Sequence, residues 1–171
     1  MNSFVRLPPS RGRIENMLIF RIIHLFTFAA CMSLGLLVFL QNQRRGANQF
    51  FLLLTGFLSL WLSFLMLGFQ ANSAEVSAFY VRSTNSAALF IPYIFDCLRL
   101  AIVQPSLSFR RVFFHSPTWL AMCIAMAAMC HTPLFLQGME MPSHTLMDVP
   151  VPVYGPGIIL YGAYFLTTLI S

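Results

Sequence analysis

Four stretches of this chain, residues 22–43, 46–74, 112–139 and 149–171, contain no Asp, Glu, Lys or Arg. Each reaches or exceeds the roughly 20 residues that a helix needs to cross about 30 Å of hydrocarbon. A fifth apolar stretch, Ala87 to Val103, is broken only by Asp96 and Arg99. With 58% apolar and 9% charged residues, against roughly 45–50% and about 25% in soluble domains, the chain is no ordinary water-soluble globule. The expected fold is an all-α membrane protein: a polytopic helical bundle with five transmembrane helices at about 18–40, 50–69, 74–103, 118–135 and 157–171.

The segments between these helices are short and differ in character. Residues 1–16, with Arg6, Arg11, Arg13 and Pro8-Pro9, read as a polar, basic and disordered tail. Met17, which opens the apolar sequence, is an alternative start. Phe28-Ala29-Ala30-Cys31 resembles a lipoprotein cleavage box, but the apolar run continues to Leu40, so an uncleaved helix is the better reading. The loop Gln41 to Asn48 is short enough to make the first two helices antiparallel neighbours. Asn72 followed by Glu75 predicts a cap for the third helix, and Pro92 predicts a kink in it. Gln104 to Pro117 reads as a polar loop, and Pro117 suits the start of the fourth helix. Ala121, Ala125, Ala127 and Ala128 offer that helix a small-residue contact surface. The fourth loop, Gln137 to Pro156, is rich in Pro and is expected to be irregular. The last apolar segment stops without a polar anchor, so the sequence reads as unfinished at Ser171.

All ten basic residues are Arg and the net charge is +5. They stand singly or in pairs at segment ends, with no basic stripe interleaved with aromatics, which argues against nucleic-acid binding. Arginines flanking apolar segments are instead a topology signal. Arg44, Arg45, Arg110 and Arg111 lie in loops one and three, whereas loops two and four hold only Arg82 with Glu75, Glu140 and Asp148. The loops therefore predict an outside amino terminus; the basic tail opposes it, and a start at Met17 removes most of the conflict. The four cysteines, Cys31, Cys97, Cys123 and Cys130, lie inside apolar segments without a C-x-x-C pair and read as small buried hydrophobes.

Asp96 and Arg99 are the first candidates for function, because charges within membrane segments are costly and mark functional sites. Their i,i+3 spacing lets them pair. They then either neutralise each other, with Arg99 snorkelling to the interface, or serve a ligand or a conformational switch. Arg82, Pro92, Tyr93 and Trp61 complete the candidate set, and Tyr93, Trp61, Phe90 and Phe95 could line a hydrophobic pocket, although aromatics in a bundle more often serve packing. His24 and His131 allow a haem pair only at matched depth, and Cys130-His131 point about 100° apart on a helix, so no cofactor or metal is assigned. His115 and His144 read as solvated loop residues. No phosphate-binding loop, H-E-x-x-H, G-x-S-x-G or dinucleotide fingerprint is present, so no catalytic residue is assigned.

From Asn48 onward, Phe51-Leu52-Leu53-Leu54-Thr55-Gly56-Phe57-Leu58-Ser59-Leu60-Trp61, Phe79-Tyr80-Val81-Arg82 and Ala87 to Pro92 follow a recognisable order. Arg110-Arg111, then Tyr154-Gly155-Pro156-Gly157 with Tyr161 and Tyr164, continue it. The series resembles the amino-terminal seven-helix sensor region that precedes many bacterial histidine kinases and some diguanylate cyclases, over about residues 22–171. The resemblance implies an incomplete seven-helix bundle in the bacterial inner membrane with its amino terminus outside, and two further helices leading to a cytoplasmic signalling module. It implies a sensory role and no catalytic residue in this chain. The partners it leaves are the lipid bilayer and either a second copy or another membrane subunit. A small membrane subunit of a larger complex, or a membrane-embedded enzyme or haem carrier, are the alternatives.

Overall fold

The computed structural model describes residues 11–71, 73–140 and 150–170. They form α1 (Arg11–Gln41), α2 (Gly46–Phe69), α3 (Ala74–Val103), α4 (Phe109–Phe113), α5 (Pro117–Cys130), strands β1 (Leu136–Glu140) and β2 (Val151–Tyr154), and α6 (Gly157–Ile170). The chain is mostly helical, and three helices are long and apolar enough to cross a membrane: Arg21–Gln41, Gly46–Phe69 and Ala74–Val103. The count of five spans is not reached on length. α5 has 14 residues, about 21 Å at 1.5 Å per residue and short of a 30 Å core.

α1 begins at Arg11, within the segment expected as a tail, and residues 1–10 lie outside the described residues. It packs along α2, where Gly35 lies so close to Thr55 that a Cβ on the glycine would fall 2.0 Å from Thr55 Oγ1. Asn48 Nδ2 ties the turn by donating to Val38 O at 2.8 Å. α2 and α3 form the central antiparallel hairpin. Ser73 caps α3 by accepting from Val76 N, and Ser77 Oγ donates back to Gly68 O. Asn72, the expected cap, lies outside the described residues. α3 runs unbroken through Pro92 for 30 residues, about 45 Å.

The loop after α3 folds into the one-turn helix α4 because its apolar residues have a core to reach. Val112 is fully buried, and the Phe109 and Phe113 rings stack on Phe50 of α2 at 4.5 and 6.4 Å. α5 starts on Pro117, whose fixed φ and missing N–H suit the first helical position. It ends at Cys130, five residues before the expected Phe135, in a turn that carries Pro133. Of the alanine stripe only Ala127 packs against the core, since Ala121, Ala125 and Ala128 are exposed. Cys123 and Cys130 face inward, fully buried, with Cys123 Sγ donating to Leu89 O at 3.4 Å and Ser86 Oγ to Ala127 O at 3.0 Å. The two thiols, with Ala127, do the close packing there that the four alanines were expected to do.

The Pro-rich fourth loop is partly regular. β1 and β2 pair antiparallel, with Leu136 opposite Tyr154 and Glu140 opposite Val151, and a bulge between Leu136 and Gly138; the connecting residues 141–149 lie outside the description. Gly155 N donates to Phe135 O and Gly157 N to Leu134 O, each at 2.8 Å. A Cβ on Gly155 would lie 2.3 Å from Leu134 O, so only glycine fits this approach of two backbones.

Candidate functional site

The molecule has two chemically distinct ends. One gathers the α1–α2 turn, with Arg44 and Arg45, and the α3–α5 connection, with Arg110 and Arg111. The other carries the β-hairpin and the α2–α3 turn, with Arg82, Glu75 and Glu140. The candidate site lies toward the basic end, where one face of α3 holds the α4–α5 segment.

Tyr93, Asp96 and Cys97 sit at i, i+3 and i+4 of α3 and therefore share a face. Tyr93 Oη donates a short hydrogen bond to Phe113 O. Cys97 Sγ approaches Val112 O at 3.8 Å. Asp96 Oδ1 accepts from Arg99 Nη2 at 2.7 Å, and Asp96 Oδ2 faces His115 Nε2 at 2.9 Å. The other imidazole nitrogen, Nδ1, lies 2.7 Å from Val112 O, and the ring stacks on Tyr93 with centroids 5.9 Å apart. Each imidazole nitrogen of His115 thus faces an acceptor oxygen, one a carbonyl and the other a carboxylate. The side chains are 39% exposed for Asp96, 24% for His115 and 64% for Arg99, so the cluster is a rim that borders solvent or lipid headgroups.

Two cavities meet at this rim. One of about 490 Å³ is walled by Leu58, Trp61, Ile91, Pro92, Phe95 and Phe165 and edged by Asp96 and Arg99. The second, about 300 Å³, is bordered by Tyr93, His115, Trp119 and Tyr164 and shares Pro92, Asp96, Arg99 and Thr168 with the first. Pro92 has no N–H to give the carbonyl of Ala88, four residues back, so the α3 ladder is locally relieved beside both cavities.

Five of the six sequence candidates thus converge: Asp96, Arg99, Pro92, Tyr93 and Trp61 border one or both cavities. Arg82 does not. Its Nη2 donates to Leu136 O at 2.7 Å, tying α3 to the hairpin across 54 residues, and its buried Nε has no partner among the described residues. Phe90 packs on Phe57 instead of lining a pocket. His131 ends α5 against the ring of Phe79, while His24 lies on α1, which packs along α2. Among the described residues no group of three His, Cys, Asp or Glu side chains could hold a metal. His115 is the member that sequence reasoning missed. It is 19 residues from Asp96 across a loop, and no spacing rule joins residues on separate elements.

Comparison with known proteins finds no matching family model, curated protein or solved structure.

Proposed function

We propose that this chain is the membrane-embedded input region of a bacterial signal-transduction protein of histidine kinase or diguanylate cyclase type. In this reading it detects an extracytoplasmic or membrane-dissolved signal and passes it to a cytoplasmic output module outside the chain. The observation that carries the reading is the Asp96–His115 bridge, 2.9 Å long. It joins α3, just beyond Pro92, to the α4–α5 connection at the edge of the 300 Å³ cavity. A molecule in the 300 Å³ cavity touches α3 at Tyr93 and Asp96 and the connection at His115 and Ser116, and it shifts the output if it binds one packing of the two elements better than another. Arg44, Arg45, Arg110 and Arg111 support placing this end in the cytoplasm of the inner membrane, next to the output.

The test is Asp96→Asn in the native membrane, with the chain tagged at its own locus. The expected result is normal insertion with altered phosphorylation or cyclase activity of the associated module. Normal insertion with unchanged output refutes the sensory role of the bridge.

A second reading has a specific observation in its favour. α5 is about 21 Å long and α1 packs along α2 alone among its principal contacts, as suits a subunit completed by partners in a larger membrane complex. Stoichiometric purification with membrane subunits and no signalling module would favour it.

A further inference from the structure

Four arginines at the basic end are not tied into the fold by their charges. Arg44, Arg45, Arg110 and Arg111 are exposed, and no acid pairs with any of them among the described residues. The acids are placed elsewhere. Glu75 and Glu140 belong to the opposite end, Glu15 lies near the start of α1, and Asp96 is engaged by Arg99 and His115.

Packing joins the two Arg pairs into one surface. Phe109, Val112 and Phe113 stand at i, i+3 and i+4, so they share the side of α4 that meets the bundle and leave Arg110 and Arg111 outside. The Phe109 ring stacks on Phe50 at 4.5 Å, and Val112 shares a core cluster with Ala47. Ala47 and Phe50 lie in the opening turns of α2, which starts directly after Arg45. No side chain caps α2 and no acid stands in its first turn, so its unpaired N–H groups add partial positive charge at the same place.

The margin of this surface is apolar. Leu40 near the end of α1, Val103 at the end of α3 and Phe114 after α4 are all exposed. α1 ends and α2 begins here, and both are long enough to cross a membrane, so this is the level at which lipid phosphates meet their acyl chains. A phosphate carrying alkyl chains matches both the cations and the apolar margin, whereas a soluble anion uses the cations alone. Phosphatidylcholine brings a cation of its own, so a headgroup of net negative charge fits better. We propose that the α1–α2 turn and α4 form one binding surface for anionic phospholipids, with phosphates on the two Arg pairs and acyl chains beside Val103 and Phe114. The surface uses none of Asp96, Arg99 and His115, so it stands or falls separately from the sensory reading.

Native mass spectrometry of the full chain in neutral detergent resolves individual lipid-binding events and tests this directly. Dioleoylphosphatidylglycerol is expected to bind about tenfold or more tighter than dioleoylphosphatidylcholine, since each Arg near a headgroup favours the anionic lipid by about fivefold. The variants R44Q/R45Q and R110Q/R111Q are each expected to lower that preference about tenfold, and all four substitutions together to abolish it. Arg21→Gln, an exposed arginine of α1 away from this surface, is expected to leave it unchanged, and R110K/R111K to retain it. Equal binding of the two lipids, an unchanged preference in either pair variant, or the same loss in Arg21→Gln overturns the proposal. Displacement of phosphatidylglycerol by inorganic phosphate or by a poly-glutamate peptide also overturns it, because the surface then belongs to a soluble anion or an acidic protein segment. The unaltered chain supplies a second test that needs no variant to fold: the preference should shrink as ionic strength rises, and a preference indifferent to salt refutes the electrostatic surface.

Discussion

Gly35→Ala tests whether α1 belongs to the bundle through one close contact. The added Cβ falls 2.0 Å from Thr55 Oγ1 and 3.0 Å from Thr55 Cβ. Ordinary contact begins near 3.4 Å, so α1 must move away by roughly 1.4 Å or Thr55 must turn. Turning is costly, because Thr55 is 6% exposed and its hydroxyl donates to Phe51 O and Leu52 O at 3.1 and 3.0 Å. Overpacking of this kind costs about 1–3 kcal/mol, and the gain from replacing helical Gly by Ala returns roughly 0.5–1 kcal/mol. The expected net loss is about 0–2.5 kcal/mol, read by SDS-titrated unfolding of the full chain in mixed micelles. Thr55→Ala removes the oxygen that is struck, so the Gly35→Ala/Thr55→Ala double variant should recover most of the loss, with a coupling of about 1 kcal/mol. A coupling within about 0.3 kcal/mol of zero refutes the close approach as the basis of α1 docking.

Gly155→Ala should be more damaging than Gly162→Ala, because its Cβ meets the backbone at Leu134 O, 2.3 Å away, whereas nothing lies within 4 Å of a Cβ at Gly162. A drop of about 2 kcal/mol or more at the first site and near-neutrality at the second is the expected outcome of the same titration. Arg82→Met should loosen the hairpin by removing the donor to Leu136 O. Hydrogen exchange in β1 and β2 should quicken about tenfold or more, as expected for loss of a hydrogen bond to a charged group, with α1 and α2 unaffected; protection unchanged in both strands would mean that the tie carries no load.

The candidate site was partly legible for a reason that applies to any membrane chain. Asp96 and Arg99 stand out because ionised groups are rare in an apolar run, and their i,i+3 spacing on one helix is enough to make them a pair. Pro92 and Trp61 were legible as local features but not as neighbours. His115 gave no signal, since its role depends on α4 turning the chain back so that Val112 O and Asp96 meet the two nitrogens of one ring. Arg82 shows the reverse: the residue type suggested chemistry, and the fold uses it as a tie to the hairpin. The alanines of α5 likewise looked like the contact surface, and the buried positions went to Cys123 and Cys130. Small size permits close packing on any face, and helix rotation decides which face is used.

Hydropathy and charge by themselves determined that this is a helical membrane protein with long helices at α1, α2 and α3, because a bilayer leaves a 20-residue apolar run few structures in which its backbone polar groups are satisfied. The α3 boundaries follow from the same composition. Tertiary structure alone decided that the Pro-rich loop holds a two-stranded hairpin and that Asp96 divides its oxygens between Arg99 and His115. Those outcomes depend on contacts between residues far apart in the chain, which periodicity and composition, being local, do not encode.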